Sequence, residues 1–236
     1  MMPTPSIRTN LKTTIIMPNW CCTNWTLRGT TEEIHKLADI FNSLPGREDV
    51  MPNGFGKFWL GNLAVALGYN YEEMENRGEN MRGHLDSDDG ACACLFLGQP
   101  SDDRFKPTDT ADGLSLLSFS TQSAWGMPDW LTEHFDNSGL EVGYKATDEF
   151  GNFHVHRNHD LMPYVYELEC VDTDFFEYKK GQEEELVEKI EEATGLSFDH
   201  DKVKRGDFGE VLSAIIDYND EHEDHEVYLC VYQDED

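Results

Sequence analysis

The residues best equipped for chemistry lie in one short run, His154-Val155-His156-Arg157-Asn158-His159-Asp160. Neutral imidazole is the commonest protein ligand for transition metals, so His154, His156 and His159 are the candidate metal ligands. On an extended strand the side chains of residues 154 and 156 leave the same face, because the side-chain period is two. That places two donors together, with Asp160 a nearby carboxylate. The competing reading is that histidines at a strand end pack or face solvent and bind nothing.

A second set, His200, His222 and His225, sits among carboxylates in the runs FDHDK and NDEHEDHE. A calcium loop would need alternating oxygen ligands around a central glycine, and residues 217–226 contain no glycine. This stretch reads as a solvated charged loop whose acids favour protonated imidazole. No G-x-S-x-G elbow, P-loop or catalytic cysteine context occurs. Cys21 and Cys22 adjoin Trp20 on a presumed core strand and read as packing residues. Of the five tryptophans, Trp125 is the one that reads least like core, since it stands between Ala124 and Gly126 at a strand-to-helix turn. No catalytic residue or cofactor is assigned, and nothing in the pattern requires an enzyme.

These residues need elements to hold them. Trp20 to Arg28 is rich in aromatic and β-branched residues and closes on Gly29, as a strand entering a turn does. Thr30 or Thr31 then caps a helix with Glu32 and Glu33 in its first turn and Ile34, Leu37, Ala38 and Phe41 on one face. Residues 47–113 read as an insertion. It holds an apolar segment at 58–67, a polar irregular region at 68–90 and a strand at 91–97. Leu114 to Thr121 reads as a buried strand and Met127 to Phe135 as a short helix. Leu140 to Ala146 and Asn152 to Arg157 read as a hairpin. Beyond Pro163 come a strand (Tyr164 to Val171), two helices (Gln182 to Ala193 and Phe208 to Tyr218) and a last strand (Val227 to Tyr232). The order implies an α+β fold: a ferredoxin-like split βαβ antiparallel sheet with helices on one face, followed by an acidic αβ unit. The expected boundaries are a flexible tail over 1–16, with translation starting at Met17, a domain over 17–160 and an extension over 161–236.

Charge limits the partners. The chain carries 47 acids against 18 bases, a net charge of −29. From Glu167 to Asp236 there are 24 acids and 6 bases, a balance of 6 − 24 = −18. A field of that sign repels phosphate backbones and anionic lipid, which argues against nucleic-acid and membrane binding and favours a protein with a basic surface. Acidity also simply aids solubility. With 39% hydrophobic and 11% aromatic residues the chain carries too much apolar bulk to stay disordered. It has neither a membrane-length apolar run nor a secretory h-region, and its six cysteines lie mostly in strand-like stretches, so a reduced, cytoplasmic setting is expected.

Three segments carry a resemblance: MPNWCCTNWTLRG at 17–29, FWLGNLAVALG at 58–68 and LSFSTQSAWGMPDWL at 117–131. Together they resemble the YubB ferredoxin-like domain family of phages, plasmids and gut bacterial genomes, over roughly Met17 to His159. The resemblance implies a ferredoxin-like fold without iron and sulfur, encoded on or derived from mobile DNA, and it transfers no catalytic role. The H-x-H-x-x-H spacing separately resembles the metal loop of metallo-β-lactamase-like hydrolases. It departs from that loop by having Asn158 where aspartate is needed, with only 77 residues following His159. The expected function is a non-enzymatic protein-interaction module, whose acidic surface in its sharpest form imitates the charge of DNA. The alternative is a small-ligand or metal module using the three histidines or a pocket near Trp125.

Overall fold

The computed structural model describes residues 19–48, 56–87, 104–149, 154–170, 175–222 and 224–235. The tail over 1–16, the Met17 start and the strand expected at 91–97, with Cys92 and Cys94, lie outside the described residues. The fold is α+β and holds two sheets. In the first, β1 (Trp20–Thr30), β4 (Leu114–Ala124) and β5 (Glu141–Asp148) pair antiparallel, with β1 in the centre. The order is β10-β6-β5-β1-β4-β2, where β2 is Gly83–Ser87, β6 is His154–Arg157 and β10 is Gln233–Asp234. A two-residue strand, β3 (Thr108–Asp109), also pairs with β4. Both β1 and β2 run antiparallel to β4, so they are parallel to each other with β4 between them.

Alternation along β1 explains why the sheet has a dry face. Trp25 and Leu27 point to the core while Asn24 and Thr26 point away. Helices α1 (Thr31–Ser43) and α4 (Asp129–Asn137) bury Ile34, Leu37, Phe41, Trp130, Leu131 and Phe135 against that face. The start of α1 is a capping box: Thr30 Oγ1 accepts from Glu33 N, and the Glu33 carboxylate accepts from Thr30 N.

The stretch 68–90, expected to be irregular, contains α3 (Tyr71–Arg77) and the edge strand β2; ahead of it lies α2 (Leu60–Ala66). Periodicity missed β2 because its segment, GHLDS, has a single large apolar residue, Leu85, and turns His84 and Asp86 inward on the opposite face. Gly83 fits where it does because a Cβ there would meet Gln122 O at 2.1 Å.

His134, on α4, illustrates how the core constrains titration. Its Nδ1 lies 3.0 Å from Tyr69 Oη, and burial holds the imidazole below its ordinary value. As pH falls below about 6.5, the unfolded chain protonates this ring while the folded chain resists, so stability falls until the folded value is passed. His134→Gln should therefore shrink the loss of stability between neutral pH and about pH 5.5 relative to wild type, measured by urea denaturation at both.

The second sheet has order β8-β7-β9, from β7 (Tyr164–Cys170), β8 (Phe175–Lys179) and β9 (Val227–Val231), all antiparallel. Helices α5 (Glu183–Thr194) and α7 (Gly209–Glu221) and the short α6 (His200–Val203) cover it. A separate core forms here around Leu168, Leu186, Val187, Ile190, Val211 and Ile215. Among the described residues, no helix is long and apolar enough to cross a membrane.

Candidate functional site

The polar residues of the first sheet gather on the face opposite its helices. Lys145 and His156 are directly paired across β5 and β6, as are Thr147 and His154, so all four share that face. The second sheet covers Lys145, whose ammonium contacts Glu167 and lies 3.1 Å from Glu177. Tyr232 closes the layer: its hydroxyl donates to Glu167 at 2.8 Å, and its ring lies 5.4 Å from the Lys145 ammonium. None of these partners was singled out in the sequence, since a lysine alternating with apolar residues on a strand reads as solvent-facing.

The three predicted histidines separate. His154 turns to Thr147, with Nδ1 2.8 Å from Oγ1, and packs edge-on against Tyr232. His156 and His159 come together, with ring centroids 4.5 Å apart. Local sequence explains why. Asn158 takes a left-handed φ of 69°, and its Oδ1 accepts from Asp160 N at 3.1 Å and Leu161 N at 3.3 Å. This tight turn brings His159 back beside His156 and leaves Met162 O to accept from His156 Nε2. Gly143 makes the turn possible, since a Cβ there would lie 2.8 Å from Leu161 Cβ.

The third member of the cluster is Asp234, not the expected Asp160. Strand β10 pairs parallel to β6 with Asp234 opposite His156, and Glu235 N donates to His156 O at 2.8 Å. Asp234 Oδ1 consequently lies 2.8 Å from His159 Nε2 and 3.5 Å from His156 Nδ1. The His156 side chain is fully buried and its Nδ1 makes no hydrogen bond, whereas His159 and Asp234 are 41% and 45% exposed. Burial lowers the affinity of His156 for a proton, so its ring stays neutral at neutral pH. Burial likewise pushes the Cys21 thiol up to about 11 and raises the Cys22 thiol, which suits packing over nucleophilic attack.

Trp125 is 53% exposed and holds a left-handed φ of 61°, which bulky side chains rarely adopt. Its turn is fixed by Asn80, whose Nδ2 donates to Ala124 O at 2.8 Å and Gly126 O at 3.2 Å. The Arg82 guanidinium lies 5.2 Å from the Trp125 ring centroid. The second histidine set does not converge: His200 meets Glu191 at 3.3 Å, and His222 stacks on Tyr218.

An open groove of about 670 Å³ runs between α7 and β9, lined by Leu212, Ile215, Leu229 and Val231 and, from the first sheet, by His154 of β6 and Gln233 of β10. Ile216 and Tyr228 line it with 63% and 47% of their surfaces exposed. Asp207 belongs to its wall, Asp220 stands one helical turn from Ile216, and Glu226 accepts from Tyr228 Oη. Three lysines of this unit are paired with glutamates, Lys189 with Glu192, Lys202 with Glu210 and Lys204 with Glu184, while exposed Arg205 directly precedes Gly206 and Asp207 of the groove. No family model matches the chain, and no significant match was found among curated proteins or solved structures.

Proposed function

We propose that the chain is a non-enzymatic protein-interaction module whose C-terminal unit receives a basic, amphipathic segment of a partner protein. The groove between α7 and β9 carries this reading: exposed Ile216 and Tyr228 supply apolar contact, and Asp207, Asp220 and Glu226 supply negative charge around them. The surplus of acids over bases from Glu167 onward extends that field and would speed the approach of a cationic partner. The first unit is read as a ferredoxin-like domain of the YubB kind. Support comes from the order β5-β1-β4-β2, in which parallel β1 and β2 are split by β4 with α1 and α4 on one face. Boundaries at 17–160 and 161–236, a mobile-element origin and a cytoplasmic setting belong to the same proposal.

A labelled amphipathic helix of alternating lysine and leucine faces serves as the probe, titrated against the full chain by fluorescence anisotropy. Wild type is expected to bind it, at least about tenfold more weakly as salt rises from 50 to 500 mM. Ile216→Glu, which adds negative charge but removes apolar contact, is expected to weaken binding about tenfold or more, since a buried Ile contributes roughly 1.5–3 kcal/mol. Equal binding by Ile216→Glu and wild type would mean that charge alone holds the probe and would remove the groove from the reading.

A further inference from the structure

We propose that His156, His159 and Asp234 form a binding site for a divalent transition metal of the zinc class, ligated through His156 Nδ1, His159 Nε2 and an Asp234 carboxylate oxygen. The three donor atoms all lie within 4.8 Å of one another, and the two separations to Asp234 Oδ1 are 2.8 and 3.5 Å. Zinc bonds of 2.0–2.2 Å in tetrahedral array require donor separations of about 3.4 Å, so small side-chain rotations suffice. Two imidazoles and one carboxylate favour zinc, nickel or copper over calcium and magnesium, which take oxygen donors.

The observation pointing to a ligand is the orphan nitrogen. His156 is fully enclosed, donates Nε2–H to Met162 O, and thereby turns the lone pair of Nδ1 into the cluster with no hydrogen bond to receive it. A backbone carbonyl on the distal nitrogen is the usual device for fixing the tautomer and orientation of a metal-ligating histidine. Lys180, 3.2 Å from Asp234 Oδ2, holds the other carboxylate oxygen and leaves Oδ1 facing the two rings. His159 and Asp234 are partly exposed, so ions can enter from solvent and a fourth position stays open to water.

The ion would have a structural consequence, because its ligands come from distant parts of the chain. His156 and His159 belong to β6 and the turn after it, while Asp234 lies on β10, beyond the second sheet. Ligation therefore clasps the C-terminal end of the acidic unit onto the edge of the first sheet, where His154 of β6 and Gln233 of β10 also border the groove.

The test uses the full chain, stripped with a chelator, desalted and titrated with Zn2+ by calorimetry and with Co2+ by visible absorption, in physiological salt with excess Ca2+ to cover surface carboxylates. One equivalent is expected to bind, with the intense visible bands of low-coordinate cobalt. His159→Ala and Asp234→Asn, at partly exposed positions, should each weaken binding at least about tenfold. His156→Ala should abolish it, with far-UV circular dichroism confirming the fold. His154→Ala should leave it unchanged, since that ring faces Thr147 and Tyr232. Absence of a saturable single equivalent in wild type overturns the proposal, and so does wild-type affinity in His159→Ala and Asp234→Asn. Equal weakening by His154→Ala would overturn the ligand set.

Discussion

Lys145→Met is expected to lower the stability of the protein by about 3 kcal/mol, and adding Glu167→Gln and Glu177→Gln to it should recover most of the loss. The lysine side chain is 8% exposed and stands between two carboxylates of the second sheet, of which Glu167 is 16% exposed and Glu177 is 36%. Removing the cation leaves both acids facing an apolar side chain and each other, which is why the single change should cost more than the neutral triple. The figure lies at the low end for a broken buried pair because Glu177 reaches solvent, where water screens its charge. Urea denaturation followed by far-UV circular dichroism measures both variants. All five tryptophans precede residue 131, so fluorescence reports the first unit while circular dichroism reports both. Loss in the circular dichroism transition ahead of the fluorescence one would locate the damage in the second unit. A triple variant as unstable as the single one would show that Lys145 acts by packing its stem and not by neutralising the pair.

Trp25→Ala has the larger expected effect, about 4 kcal/mol, enough to unfold the first unit if its stability is ordinary for a domain. The indole is 1% exposed. It stacks on Phe119 with centroids 6.0 Å apart, meets Phe135 edge-on at 5.7 Å and Tyr144 at 5.2 Å, and donates Nε1–H to Thr121 Oγ1 at 3.0 Å. Truncation opens a cavity among three strands and α4 and leaves the Thr121 hydroxyl without its donor. Trp25→Phe keeps most of the volume and should cost clearly less. The four remaining tryptophans still report the transition by fluorescence. A change below about 1.5 kcal/mol for Trp25→Ala would mean that the surrounding rings collapse into the space.

Elements with strong amphipathic periods were legible in the sequence. The core faces of β1, β4, α1, α4, α5 and α7 follow from residues such as Trp25 and Leu27 at period two, or Ile34, Leu37 and Phe41 at helical spacing, because burying one face is what gives those segments their form. The run from His154 to Asp160 was legible only as histidines at a strand end: strand alternation pairs His154 with His156, whereas the turn at Asn158, which Gly143 of β5 leaves room for, brings His159 to His156 instead. The acid surplus required no fold at all.

Only the tertiary structure decided the rest. Strand β2 carries polar residues that become buried once the sheet forms, so its local pattern resembles a loop. Strand β10 is two polar residues long and has no period to detect; it exists because β6 offers an unpaired edge at the right height. Asp234 enters the histidine cluster, and Glu167 and Glu177 enclose Lys145, through pairings between segments far apart in the chain. Periodicity records which face of a segment is dry, whereas register between distant strands depends on the summed packing of the whole molecule. That is why the sequence could name His154, His156 and His159 together but could not show that His154 turns away to Thr147 or that Asp234 takes the carboxylate position.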